Sequence, residues 1–177
     1  MPLLQRAARL VFPLIALMAT IALAAAPALA SDNDEDEGVV AVKLSDFTDL
    51  PAVSWAVSAT PSATEEKKVT FNISNISRFI PHQFIVIKTD LAADALPRLG
   101  PGLGVDESKV DVVARFQSPG TATQPPDTLA AGQSAALSAK LKNGNYVLIC
   151  NLDPKGVPFR SHYDQGMRTG FRVGDDD

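Results

Sequence analysis

Four side chains in this sequence could together hold a metal ion: His82, Cys150, His162 and Met167. Three of them lie close together near the C-terminus, while His82 stands far upstream, directly after Pro81. A thiolate, two imidazoles and a thioether form the donor set of a trigonal site with a long axial Met. Such a set suits copper, because soft sulfur favours Cu(I) while the imidazoles also accept Cu(II). Taken singly, each residue has a blander reading: a surface histidine, a small buried hydrophobe, a core-filling methionine. Taken together they are more telling, because the chain has two His, one Cys and three Met, and two of those Met (Met1 and Met18) lie in the N-terminal apolar segment.

That N-terminal segment has the pattern of an export leader. Arg6 and Arg9 precede an almost unbroken apolar run from Pro13 to Ala26, and Pro27-Ala28-Leu29-Ala30 supplies the small-x-small pattern that a signal peptidase reads. The expected product starts at Ser31 and is periplasmic or extracellular; the alternative is a membrane anchor formed by an uncleaved leader. Removing Arg6 and Arg9 moves the net charge from −4 to −6. A chain of this length suits one domain with a proper core, and it has no basic stripe of the kind nucleic acid requires. A single Cys cannot form an internal disulfide, and an unpaired thiol in an oxidising compartment is a liability unless something occupies it.

The elements that must position the four side chains read as β. Residues 31–38 (SDNDEDEG) and 175–177 (DDD) are acidic ends expected to stay solvated, which leaves 39–174 as the folded domain. Strand patterns occur at 39–44, 69–73, 83–89, 110–116, 134–141, 146–152 and 170–173. Asn143-Gly144-Asn145 and Ala130-Ala131-Gly132 supply turns before strands. Residues 51–68, with Trp55, read as a strand fragment and loop. Residues 91–109 read as an irregular insertion whose Ala-rich start could form a short helix ended by Gly100-Pro101-Gly102. Short strands with Gly and Pro punctuation imply an all-β sandwich. In Tyr146-Val147-Leu148-Ile149-Cys150, the period of two puts Tyr146, Leu148 and Cys150 on one face, so the thiol arrives at the end of the core.

On these motifs the chain resembles the cupredoxins, the type 1 blue copper proteins, and among them exported bacterial members of plastocyanin, azurin or sulfocyanin type. The likeness rests on Gly144-Asn145-Tyr146-Val147-Leu148-Ile149-Cys150 followed by His162-x4-Met167, and on Val69-Thr70-Phe71-Asn72-Ile73 followed by His82-Gln83-Phe84. It implies a Greek-key β-sandwich and one type 1 copper ion held by His82, Cys150, His162 and Met167. It also implies that His162 is the exposed edge through which electrons leave. Two features depart from the family pattern. Eleven residues separate Cys150 from His162, where the family has two to four, and the surplus around 153–159 looks like an insertion. Gln83 stands where many relatives have an Asn that braces the ligand loops.

The expected function is one-electron transfer between exported redox proteins, with no catalytic residues, since four protein ligands leave no position for a substrate. The expected partners are exported or membrane-bound proteins such as cytochromes or a copper oxidase, with no nucleic acid. Lys155, Arg160, Arg168 and Arg172 form a candidate docking patch for an acidic partner. The alternative from another class is a copper carrier that delivers the metal to another exported protein. Copper binding is expected to weaken as pH falls, because both histidines must be neutral to bind.

Overall fold

The computed structural model describes residues 36–46, 55–153 and 160–174. The leader, the first part of the acidic run, the Asp-rich C-terminal end and the centre of the Cys150–His162 insertion lie outside these residues. Among the described residues no helix is long and apolar enough to cross a membrane.

Among the described residues, nine strands form two sheets. The first has the order β2-β1-β4-β7, with β1 at Glu37–Ser45, β2 at Ala56–Thr60, β4 at Lys68–Asn75 and β7 at Ser134–Lys140. The second has the order β3-β9-β8-β5-β6, with β3 at Ala63–Thr64, β5 at Ile85–Lys88, β6 at Asp111–Arg115, β8 at Gly144–Ile149 and β9 at Arg168–Val173. The chain passes from one sheet to the other after β2, β3, β4, β6 and β7, so sequence neighbours are seldom sheet neighbours. This is the all-β sandwich expected from the sequence. Each predicted strand is present with its ends moved by a few residues, and the fragment at 51–68 resolves into β2 and β3. The first strand begins at Glu37 rather than Val39, because Glu37 pairs with Lys68 in the ladder and its carboxylate meets the Lys68 ammonium at 3.1 Å.

The two sheets differ in how their strands are buried. β1 and β4 alternate, with Val40, Val42 and Leu44 of β1 and Val69, Phe71 and Ile73 of β4 facing the sandwich core. β5 and β8 are apolar on both faces. Phe84, Val86, Tyr146, Leu148 and Cys150 point into the sandwich, as the period of two required. Ile85, Ile87, Val147 and Ile149 point outward into a second, smaller core with Leu96, Val105 and Tyr163. The cover over that outer face is the irregular segment 91–109. Its helical turn is a 3₁₀ turn at Glu107–Lys109, not the helix expected at its Ala-rich start. Ala92 and Ala93 instead lead into a turn closed by the bond from Ala95 N to the Ala92 carbonyl at 2.9 Å. The segment is needed there because an antiparallel sheet bare on this face would leave four large side chains in water.

The centre of the main core is Phe71, fully buried, with ring centroids 5.3 Å from Phe84 and 5.4 Å from Phe171. It joins the first sheet to both β5 and β9. Phe71→Ala is expected to cost ~3–5 kcal/mol of folding stability, because neighbours from three strands cannot all collapse into the space left. Urea denaturation of the metal-free protein would measure it.

Candidate metal centre

Cys150 is the first residue past β8, at the end of the sandwich that also receives the β4–β5 and β6–β7 connections. His82 lies in the first of these connections and is held by a two-bond bridge to Leu129 of the second. His82 N donates to the Leu129 carbonyl at 3.0 Å, and Leu129 N donates back to the His82 carbonyl at 2.8 Å. His162 opens the single α-helical turn among the described residues, α1 at His162–Gln165, whose start is capped by the Ser161 hydroxyl accepting from Asp164 N. Gly166 ends that turn at φ +117°, a left-handed conformation that suits Gly.

The long excursion between Cys150 and His162 is closed at its neck. His162 N donates to the Leu152 carbonyl at 2.9 Å, so the two ends of the eleven-residue stretch are joined close to both Cys150 and His162. Next to the neck, Asn151 accepts from Val105 N at 2.7 Å and donates to the Val105 carbonyl at 3.1 Å and to Glu107 at 2.9 Å. Ser161 N donates to the Gly102 carbonyl at 2.8 Å, and Gly104 N donates to the Asp164 carboxylate at 3.0 Å. The covering segment 91–109 therefore clamps both ends of the insertion. Gly104 is required there, since a Cβ would stand 2.4 Å from the Asn151 side-chain oxygen. The insertion's own centre, with Lys155, lies outside the described residues.

These restraints bring three donors together. His162 Nδ1 is 3.3 Å from Cys150 Sγ, His82 Nδ1 is 3.8 Å from it, and the two Nδ1 atoms are 3.1 Å apart. All three donor atoms lie within 4.8 Å of one another. Donors ~2.0–2.3 Å from one shared ion, at angles between tetrahedral and trigonal, stand roughly 3.3–4 Å apart; the two edges to sulfur fall in that range and the edge between the nitrogens is slightly shorter, a spacing that fits one metal ion. Met167 is tied to the same point through its backbone: its N donates to the His162 carbonyl at 3.0 Å, and its carbonyl accepts from Cys150 N at 3.1 Å. Its side chain is fully buried in the main core, to which Cys150 also belongs.

Around the donors stands a ring of groups that the sequence did not point to. His82 Nε2, the nitrogen turned away from the cluster, has the Ser77 hydroxyl at 2.7 Å and the buried Asp46 carboxylate at 3.7 Å. A proton kept on Nε2 leaves Nδ1 free to bind, the usual service of a carboxylate behind a metal-ligating histidine. Asn75 takes the bracing role that the resemblance assigned to residue 83. Its amide donates to the Ile80 and Leu129 carbonyls, both at 2.9 Å, and its oxygen accepts from Ser77 N. Gln83 contributes its backbone instead, with its N–H 3.2 Å from Cys150 Sγ. A signal for Asn75 existed, since Asn is a poor strand residue and sits in the strand ending Asn72-Ile73-Ser74-Asn75. Nothing in the sequence marks Asp46. Of the expected docking charges, Arg168 places its guanidinium over the Tyr163 ring at 5.0 Å and donates to the Tyr163 carbonyl, while Arg160 is exposed.

Burial dominates the electrostatics. It pushes the Cys150 thiol up to about 12, against the pull of backbone donors at Leu152 and Gln83. It lowers His82 to about 4, with Asp46 drawing it partly back, and lowers His162 to about 3, helped by the neighbouring His82. Without a cation all three donors are thus neutral across the middle of the pH range.

No family model matches the chain, and no curated protein matches it. Solved structures do. An auracyanin from Roseiflexus castenholzii is 16% identical, with 76% of this chain and 97% of that chain covered at a TM-score of 0.43. Auracyanin A, a "blue" copper protein from Chloroflexus aurantiacus, is 14% identical over 78% of this chain and 99% of that chain, at 0.47. Rusticyanin from Thiobacillus ferrooxidans is 14% identical over 77% of each chain, at 0.45.

The depressed histidines make a prediction for the metal-free protein. In the unfolded chain they take up protons near pH 6.5, whereas in the folded chain they do so only near 4 and 3. The unfolded state therefore binds more protons across that window, and stability falls as pH drops below 6.5. On the alkaline side it falls again above about 9, where the unfolded thiol ionises and the folded one does not. The urea midpoint against pH should be a plateau with losses on both sides, and His162→Gln should shallow the acid limb alone.

Proposed function

We propose that this chain is an exported cupredoxin that carries single electrons on one copper ion held by His82, Cys150, His162 and Met167. The observation that carries the reading is the convergence of Cys150 Sγ and two Nδ1 atoms within 4.8 Å at a fully buried sandwich end. A soft thiolate with two imidazoles favours copper among common metals, and Met167 would add a weak thioether donor. The bound ion would supply the one-electron chemistry by cycling between Cu(I) and Cu(II).

The chain's own contribution is rigidity. His82 is bridged to Leu129, His162 to Leu152 and Cys150 to Met167, and the Gln83 N–H is directed at the sulfur. Donors held in place by backbone bonds have little freedom to move when the charge on the ion changes, which favours fast exchange over binding and release. Full burial of the ligands supports the same reading over that of a copper carrier, because an acceptor protein could not reach them without opening the fold. Four protein donors leave no position for a substrate, which supports a carrier of electrons rather than an enzyme. The partners we propose are exported or membrane-bound redox proteins such as cytochromes or a copper oxidase, met after export under the N-terminal leader.

The absorption spectrum of the Cu(II)-loaded protein tests the site. An intense visible thiolate-to-copper band is expected, lost in Cys150→Ser and kept in Met167→Gln, where a harder donor should lower the reduction potential. A colourless protein that holds zinc, or no metal, refutes the reading. Affinity should also rise about tenfold per pH unit between pH 6.5 and 8.5, with one proton released per ion, because the thiol is the one donor still protonated there. The pH trend expected from the sequence is kept, but the thiol sets it in this range and the histidines only near pH 4.

A further inference from the structure

Each proposed ligand is buried: His82, Cys150 and Met167 expose nothing, and His162 exposes 2%. An electron that passes between proteins needs orbital contact near the surface, and the resemblance placed that contact at the edge of His162. In this structure the imidazole edge is covered. The chain's single Trp covers it. Trp55 is only partly buried, and its ring centroid lies 4.4 Å from that of His162, tilted by 50°. The same indole meets His82 edge-on at 6.0 Å. One aromatic side chain with solvent contact thus touches both imidazoles.

Its placement is held by the backbone as well as by the rings. The Trp55 carbonyl packs on the turn that ends α1, where a Cβ built on Gly166 would stand 2.9 Å from that oxygen. Gly166 therefore serves two needs at once, the left-handed turn before Met167 and the close approach of the Trp55 backbone. On its other side Trp55 leads directly into β2, whose ladder with β1 fixes where the indole starts.

We propose that Trp55 is the electron port of this protein: the indole couples the buried imidazoles to the surface and keeps water off their edges. The proposal rests on the copper reading above. In the step itself one electron moves from a Cu(I) protein to a Cu(II) protein, oxidising the first and reducing the second. No bond forms or breaks, no proton moves, and the indole is a bridge that is not itself oxidised.

Electron self-exchange, measured by NMR line broadening in mixtures of the Cu(I) and Cu(II) forms, tests this without an outside partner and at zero driving force. Trp55→Phe keeps an aromatic ring on the imidazoles, and Trp55→Leu does not. Because self-exchange has no driving force whatever the reduction potential, Trp55→Leu with its visible band kept is expected to slow it at least about tenfold, and Trp55→Phe to slow it much less. A Trp55→Leu protein that keeps its band and exchanges as fast as the parent overturns the port. Loss of the band in Trp55→Leu also overturns it, in favour of a purely structural cover. Fluorescence gives a second readout, since all indole emission comes from this one residue. Cu(II) should quench most of it while Zn(II) leaves it, and unquenched emission in the Cu(II) form contradicts the contact. A parent protein without a visible band refutes the copper reading instead, a separate result.

Discussion

The hydrogen bond from His162 N to the Leu152 carbonyl decides what the rest of the ligand end can be. With eleven residues between Cys150 and His162, the chain has enough length to place the imidazole almost anywhere near the sandwich. Closing the neck reduces the functional loop to a short one with an appendage. The entropy cost of the appendage grows only slowly with its length, so the ligands do not bear it. Having closed the neck, the chain must then satisfy the polar groups beside it, and that is the work of Asn151, Ser161 and Asp164 against Gly102, Gly104, Val105 and Glu107. The segment 91–109 thus has two faces of one task, apolar toward β5 and β8 and polar toward the insertion.

Tyr163 shows how the two faces are joined. Its ring is fully buried in the outer core, and its hydroxyl donates to the Ala93 carbonyl at 2.8 Å while accepting from Leu96 N. Arg98 and Arg168 both place guanidinium groups over the same ring, at 5.5 and 5.0 Å. Tyr163 follows His162 directly in sequence, so a residue anchored in one core sets the direction of a ligand that faces the other. Arg98 is further tied to Asp164 at 3.0 Å, which links the covering segment to α1 a second time. Arg168 is therefore committed to the support of this loop, whereas Arg160 is exposed.

How much of this was legible in the sequence follows from which interactions are local. The strands were, because alternation in β1 and β4 and the unbroken apolar runs of β5 and β8 are properties of adjacent residues. The donor set was legible for a different reason, the scarcity of His, Cys and Met. What could not be read was the partner of each supporting group, since Asp46 and His82, Asn75 and Leu129, and Asn151 and Val105 meet only after the sheets assemble. The segment 91–109 is irregular with one short helical turn, as the sequence allowed, but the turn lies at Glu107–Lys109 rather than at the Ala-rich start. Trp55 carried no pattern, because a residue that packs on two imidazoles from different loops has no periodicity to show.

The support groups also explain why the site is arranged as it is before any ion arrives. A buried thiol raised to about 12 and two imidazoles lowered to about 4 and 3 all resist the charge they would take up alone. A cation reverses each preference: it favours the thiolate, and it binds the imidazoles in the neutral form that burial has already imposed. Among the described residues, the fully buried Asp46 carboxylate stands 3.7 Å from the far nitrogen of His82. Together with the thiolate it offers negative charge on both sides of His82 Nδ1, which a divalent ion would neutralise. The hydrogen bonds of the ligand end thus hold together groups whose electrostatic preferences a bound cation would satisfy. Metal binding and fold stability at this end of the sandwich are therefore two measures of the same interaction.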